Sequence, residues 1–245
     1  YNFSINAIFV FYNSVMEILY EDNHLIAVNK KIGNLVQPDR ENSKSLEEEV
    51  KLYIKDKYNK NGQVFLGVIH RIDRPVSGVV LFARTSKALS RMNQMFQNNE
   101  VKKLYWAIVK DLPPSENGTL IHYLKRDDKK NKTYAYDKKV PDSKEAILEY
   151  KVIGRSDRYF LLEIDLKTGR HHQIRCQLSK IGCPIKGDLK YGYPRSNPDG
   201  GICLHSLKIE FAHPITKNNI SIIAMPPADK LWDFFVDKYW KSIDK

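Results

Sequence analysis

Only three cysteines stand in the 245 residues, Cys176, Cys183 and Cys203. An odd, sparse set at no framework spacing excludes a disulfide scaffold and points to a reducing compartment, the cytoplasm. With His171, His172 and His205 these thiols match no paired C-x-x-C pattern, so no metal site is expected. No stretch approaches the ~18 apolar residues of a membrane span, and a soluble chain is expected. Glycine-rich nucleotide loops are missing too. No G-x-G-x-x-G follows a strand. Gly182 and Gly187 have the first spacing of a phosphate loop, but Asp188 stands where its Lys would be. There is neither H-E-x-x-H nor a Ser-centred nucleophile elbow. Acidic residues are in deficit: 29 Asp and Glu face 40 Lys and Arg, a net charge of +11. That balance calls for a polyanionic partner, nucleic acid or an acidic membrane face.

The residues present can fill a core, since 42% are hydrophobic. Residues 1–15 carry no charge, and the run Ala7–Tyr12 lacks the basic lead of a secretory signal. They are expected to be a disordered or non-native leader, with the natural start at or near Met16. Ile18–Tyr20 and Leu25–Val28 predict a strand pair around a polar turn. Ser45 and Glu48 form a capping box ahead of a helix with Leu46, Val50, Tyr53 and Ile54 on one face. Val64–Ile69 and Val79–Ala83 predict strands flanking the loop His70–Gly78. A helix from Ser86 carries Leu89, Met92, Met95 and Phe96 as a core stripe. Strands follow at 101–109, 145–153, 159–166, 203–211 and 219–224. Ile174, Leu178 and Ile181 mark a helix that Gly182 ends. Leu231, Phe234 and Phe235 mark a closing helix. The polar stretch 122–144 is expected to be an exposed insertion. Strands outnumber helices without regular alternation, which predicts α+β with a largely antiparallel sheet. No linker, repeat or composition break appears, so residues 16–245 are expected to form a single domain.

Three segments carry chemistry. In His70-Arg71-Ile72-Asp73-Arg74-Pro75-Val76-Ser77-Gly78, Asp73 lies between two guanidinium groups, which favour an ionised carboxylate. That suits a nucleophile or base in a phosphate-rich site; a salt-bridged surface loop is the alternative. In Thr168-Gly169-Arg170-His171-His172-Gln173-Ile174-Arg175, cations crowd a helix N-terminus against its dipole. An anion nearby, RNA phosphate or Asp73, would resolve the conflict, as would a helix that starts later. On the strand Lys103–Val109, Lys103, Tyr105, Ala107 and Val109 share one face, placing a phosphate contact beside a ring that could stack on a base. Lys125, Arg126, Lys129, Lys130, Lys132, Lys138 and Lys139, interleaved with Tyr123, Tyr134 and Tyr136, suit irregular RNA.

In this order the segments resemble the RluA-like RNA pseudouridine synthases. HRIDRPVSG resembles that family's H-R-L-D-R-x-T-S-G, and Lys103–Val109 its K-x-Y-x-A-x-V strand. TGRHHQIR and GCPIKGDLKYG resemble T-G-R-x-H-Q-I-R and G-x-P-I-x-G-D-x-x-Y-G. LHSLKIEFAHPIT resembles L-H-A-x-x-L-x-F-x-H-P-x-T. The likeness spans about residues 16–225. It implies a curved, mixed, mostly antiparallel sheet with flanking helices and a central cleft, and no separate N-terminal RNA-binding domain. Asp73 would be the catalytic residue, Tyr105 would stack on the target uracil and Arg175 would pair with the Asp73 carboxylate. Arg71 would replace the flipped nucleotide in the RNA stack. Arg74, Lys103, Arg170, His172 and Gln173 complete the expected substrate contacts. The substrate would be a uridine in rRNA or tRNA. The isomerisation oxidises nothing and imports no group, so no cofactor or metal is expected, and the protein would act as a monomer. Departures occur at Lys31, where Pro is usual, at His171, where Thr is usual, and at Pro75-Val76. An RNA-binding module without catalysis would explain the charge but not the joint presence of Asp73, Tyr105 and Arg175 in their motifs. A metal-dependent nuclease would want more clustered carboxylates.

Overall fold

The computed structural model describes residues 16–38 and 44–240; the expected leader at 1–15 lies outside the described residues. Along the chain run β1 (Glu17–Glu21), β2 (Leu25–Lys30), α1 (Leu46–Lys57), β3 (Gly67–Val68), β4 (Ser77–Ala83), α2 (Ser86–Gln97), β5 (Lys102–Val109), β6 (Asn117–Asp127) and β7 (Lys132–Tyr136). Then come β8 (Lys144–Arg155), β9 (Phe160–Leu166), α3 (Gln173–Lys180), a 3-10 turn (Leu189–Tyr191), β10 (Leu204–Ala212), β11 (Asn219–Ile223) and α4 (Lys230–Tyr239). Two compact units divide these elements. The first holds the chain up to Val101 together with Lys208–Met225; the second holds Lys102–Leu207 and the chain from Pro226.

In the first unit β2 pairs antiparallel with β1 and with β4. The continuous apolar runs of β2 and β4 are explained by helices on both faces. Leu25, Ala27, Val79, Leu81 and Ala83 pack with Met92 and Met95 of α2, whereas Ile26, Val28, Val80 and Phe82 pack with Leu46, Val50, Tyr53 and Ile54 of α1. Each buried Val, Leu, Ile, Phe or Met side chain among them contributes about 1.5–3 kcal/mol by leaving water. The α1 start is as the sequence predicts: the Ser45 hydroxyl accepts from the Glu48 N–H, and the Glu48 carboxylate accepts from the Ser45 N–H.

In the second unit the strand order is β5-β9-β8-β6-β7, antiparallel throughout. A bulge between Val152 and Gly154 bends β8. A Cβ at Gly154 would lie 2.7 Å from the Tyr239 ring, so only glycine lets α4 close here. Tyr239 also accepts the Arg155 N–H through its hydroxyl. Helix α3 ends as the sequence predicts. Gly182 takes φ +82°, its N–H donates to Ser179 and the Cys183 N–H donates to Leu178, the paired bonds of a Schellman cap.

Three expectations need correction. The strand predicted over 64–69 is reduced to Gly67–Val68, because the next donor of β4, the Leu81 N–H, bonds to the His70 imidazole and not to backbone. The stretch 122–144 is not a plain exposed insertion. It contains most of the β6–β7 hairpin, with His122, Leu124 and Thr133 buried. On α4 the buried residues are Trp232 and Phe235, while Phe234 is exposed.

Candidate active site

The Asp73 segment is built in the first unit. After β2 the chain turns through Lys31–Asn34, and this turn is tied to the Asp73 loop. The Gly33 N–H donates to the Arg74 carbonyl at 3.0 Å, and Arg74 Nε returns a bond to the Gly33 carbonyl at 3.1 Å. Lys30 joins the two. Its buried Nζ donates to the carbonyls of Lys31 (3.0 Å), Asn34 (2.8 Å) and Arg74 (3.1 Å). Three acceptors match the three N–H bonds of an ammonium. Burial pushes Lys30 down to about 7, the Asp73 charge opposes that fall and the Arg74 charge adds to it. The departure at Lys31 leaves this tie intact, since the bond uses its backbone carbonyl. A turn closed by the Val76 N–H on the Asp73 carbonyl leads into β4. Asp73 is half-buried, Arg71 and Arg74 are exposed, and Arg71 reaches Gln37 Oε1 at 3.2 Å.

The remaining expected residues lie in the second unit. Lys103 and Tyr105 share one face of β5 and are both buried. Burial lowers the Lys103 pKa, with the charge of Asp165 opposing. A lysine that snorkelled to water would escape that burial, so the Lys103 side chain stays withdrawn from solvent.

Helix α3 begins at Gln173, so Arg170, His171 and His172 precede it and only Arg175 lies in its first turn. Arg170 is drawn aside, its Nε bonding the Glu145 carbonyl at 3.0 Å. His172 turns the chain into the helix with φ +52°. The amide of Gln173 organises the loop: Oε1 accepts from the Thr168 hydroxyl and the Arg170 N–H, and Nε2 donates to Ile147. Arg175 is buried and gripped by Asp188, Nε to Oδ2 at 2.7 Å and a second nitrogen to Oδ1 at 2.9 Å. Such a two-point grip fixes the plane of a guanidinium as well as its position. Its carbon lies 5.1 Å from the Tyr191 ring centre. Besides carrying its own proton, the Tyr191 hydroxyl accepts the Thr133 N–H from β7 at 2.9 Å and pairs with His172 Nδ1 at 2.8 Å. Burial raises the Tyr191 pKa and keeps that proton in place. The His171 ring stacks on His172 at 3.7 Å and meets the Thr133 hydroxyl through Nδ1 at 2.8 Å. Strand β7 is thereby joined to the Gly169–Arg175 loop.

Residues 24–180 match the model of the RNA pseudouridylate synthase family. The chain belongs to that family. This pseudouridine synthase is 32% identical to tRNA pseudouridine synthase C of Vibrio vulnificus over 93% of its own length and 97% of the relative's. It is 34% identical to tRNA pseudouridine synthase C of Pasteurella multocida over 89% and 93%. An uncharacterized RNA pseudouridine synthase of Bacillus subtilis is 32% identical over 87% of this chain and 70% of the relative. The solved human RNA pseudouridylate synthase domain containing 4 shares the fold, with TM-score 0.72 and 21% identity over 90% of this chain and 91% of that one. The enzyme is an isomerase acting on RNA, and its fold is the mixed, mostly antiparallel sheet with helices of pseudouridine synthases. No helix among the described residues is long and apolar enough to cross a membrane.

Sequence reasoning passed over Lys30, Asp188 and Tyr191. Asp188 and Tyr191 stand within GDLKYG, a quoted motif, but their partners Arg175, His172 and Thr133 are distant in sequence. Lys30 gave a usable signal: a lysine closing the apolar strand LIAVNK.

Proposed function

We propose that this synthase converts uridine to pseudouridine in tRNA, in the cytoplasm and as a monomer, with Asp73 as its catalytic carboxylate. The observation that carries the tRNA reading is full-length similarity, at 32–34% identity, to relatives named tRNA pseudouridine synthase C. The cytoplasmic reading is supported by three buried cysteines that form no disulfide among the described residues.

The target nucleotide leaves its stack, at a cost of a few kcal/mol. Arg71, exposed on its loop, takes the vacated place in the stack. Asp73 attacks sugar or base, or takes a proton from the sugar, and the bond from the ring nitrogen to the sugar breaks. Uracil turns, its ring carbon five bonds to the sugar as any bond to Asp73 breaks, the proton on that carbon leaves and the freed ring nitrogen takes up a proton. Tyr105 holds the loosened ring and its hydroxyl assists removal of that proton. Arg175, oriented by Asp188, is the cation for charge that develops in the reaction. Arg74, Lys103 and Arg170 supply positive charge toward the RNA backbone. His172 and Gln173 act by shaping the loop that precedes Arg175.

Pseudouridine mapping by carbodiimide, on RNA from cells with and without the protein, tests the substrate. Loss of one or a few tRNA sites is expected. Loss confined to rRNA would reject tRNA as the substrate and leave the isomerisation standing.

A further inference from the structure

The segment that delivers Asp73 leaves the sheet abruptly. Ile69 packs in the apolar cluster beneath α2, and Ile72 packs in the cluster beneath α1. Ile69 and Ile72 thus face opposite sides of the β2–β4 layer, as Val68 and Ile69 already do, and Asp73 follows one residue after Ile72. His70 is the point of attachment in this passage. Its Nε2 accepts the Leu81 N–H at 3.1 Å, and its ring stacks on Phe96 of α2, with centres 5.3 Å apart and planes 20° apart. Gly67 pairs with Ala83 and Val68 with Phe82, so a continued ladder would offer Leu81 the carbonyl of Ile69. The imidazole takes that carbonyl's place. The backbone is thus free to turn out of the sheet at Ile69 without leaving a buried donor unpaired. An Nε2 that accepts from an N–H carries no proton, so the ring proton sits on Nδ1.

We propose that His70 is a positioning residue for the reaction: its imidazole stands in as a strand acceptor for Leu81 and so fixes where the Asp73 loop begins. The proposal rests on the reading of Asp73 as the catalytic carboxylate. The downstream end of the same loop is held independently by Lys30 and Gly33 through Arg74.

Two substitutions separate the hydrogen bond from the stacking. His70→Gln places an amide oxygen near the position of Nε2 and removes the ring. His70→Phe keeps a ring against Phe96 and removes the acceptor. Turnover is read as tritium release from RNA labelled at uracil carbon five, RNA affinity by filter binding, and the Leu81 bond by hydrogen exchange of its amide. His70→Phe is expected to expose the Leu81 amide to exchange and lower kcat by about 100-fold, the scale of a misplaced catalytic group. RNA affinity should stay within about three-fold, because a mislocated carboxylate is lost from the transition state and not from the bound ground state. His70→Gln should keep Leu81 protected and return kcat to within about ten-fold of the parent, one step of transition-state free energy. Among folded variants kcat must follow Leu81 protection. A variant that loses protection and keeps kcat, or keeps protection and loses kcat, overturns the proposal. Should His70→Phe not fold, His70→Gln decides by the same rule. Asp73→Asn in the same assay tests the underlying reading: if it turns over like the parent, Asp73 is not catalytic, whatever the His70 variants do.

Discussion

Tyr105 combines two contributions that substitution can pull apart. Its ring is buried on β5 beside Lys103, and its hydroxyl is the group assigned to proton removal. Tyr105→Phe should lower turnover more than RNA affinity. Tyr105→Leu should in addition lose about 1–3 kcal/mol of stacking. Parental turnover by Tyr105→Phe in a tritium-release assay would restrict the role to the ring. Arg175 raises a different question, because its charge is buried and its orientation depends on Asp188. Breaking a buried pair by removing one partner costs about 3–5 kcal/mol, chiefly from the charge left behind. Asp188→Asn keeps an acceptor and loses the charge, so it should fall toward the low end of that range in urea unfolding and also slow turnover. Stability equal to the parent's would mean that Arg175 is not held by that charge.

The β6–β7 hairpin shows how a correct reading of charge can coexist with a wrong reading of structure. Its residues are polar enough to look like a loop, yet Tyr123 pairs with Tyr136 and Asp127 with Lys132 in an unbroken antiparallel register. The alternation is concealed because two of the inward positions are themselves polar: Thr133 is buried against Tyr191 and His171, and His122 against Gln177. The same difficulty hid the end of β3, where a side chain on a later loop replaces a strand partner. By contrast, the α1 start and the α3 end rest on contacts a few residues apart, Ser45 with Glu48 and Gly182 with Ser179, and local sequence is enough to read them. Asp73, Tyr105 and Arg175 were legible as motif residues, whereas the partners that orient the loop, Lys30, Asp188 and Tyr191, depend on tertiary proximity. Lys129 and Lys130 are exposed at the hairpin turn, while Lys132 lies over the rings of Tyr134 and Tyr191. Replacing Lys129 and Lys130 by Ala should weaken RNA binding and reduce the slope of log affinity against log salt by up to about 0.7–0.9 for each phosphate no longer neutralised. An unchanged slope would place the hairpin turn away from RNA.

Over the whole molecule, a net charge of +11 gives the synthase an attraction for RNA that does not depend on sequence. Specific chemistry must then come from a few groups within that field. All three cysteines are buried, and burial pushes the Cys183 and Cys203 thiols up to about 11. Because the thiolate is the reactive form, Cys183 and Cys203 should resist alkylation at pH 8 in the folded protein and react on unfolding. Rapid labelling of either in the native state would contradict their burial. The central claim is that one carboxylate drives the isomerisation, and Asp73→Asn tests it most directly. The change is nearly isosteric, and an amide can neither attack nor take a proton at neutral pH. Removing a negative charge from a site that binds a polyanion should leave RNA affinity level or slightly higher. Tritium release from RNA labelled at uracil carbon five should therefore fall to background while filter binding at fixed salt stays at or above the parental affinity. Release near the parental rate would contradict the account.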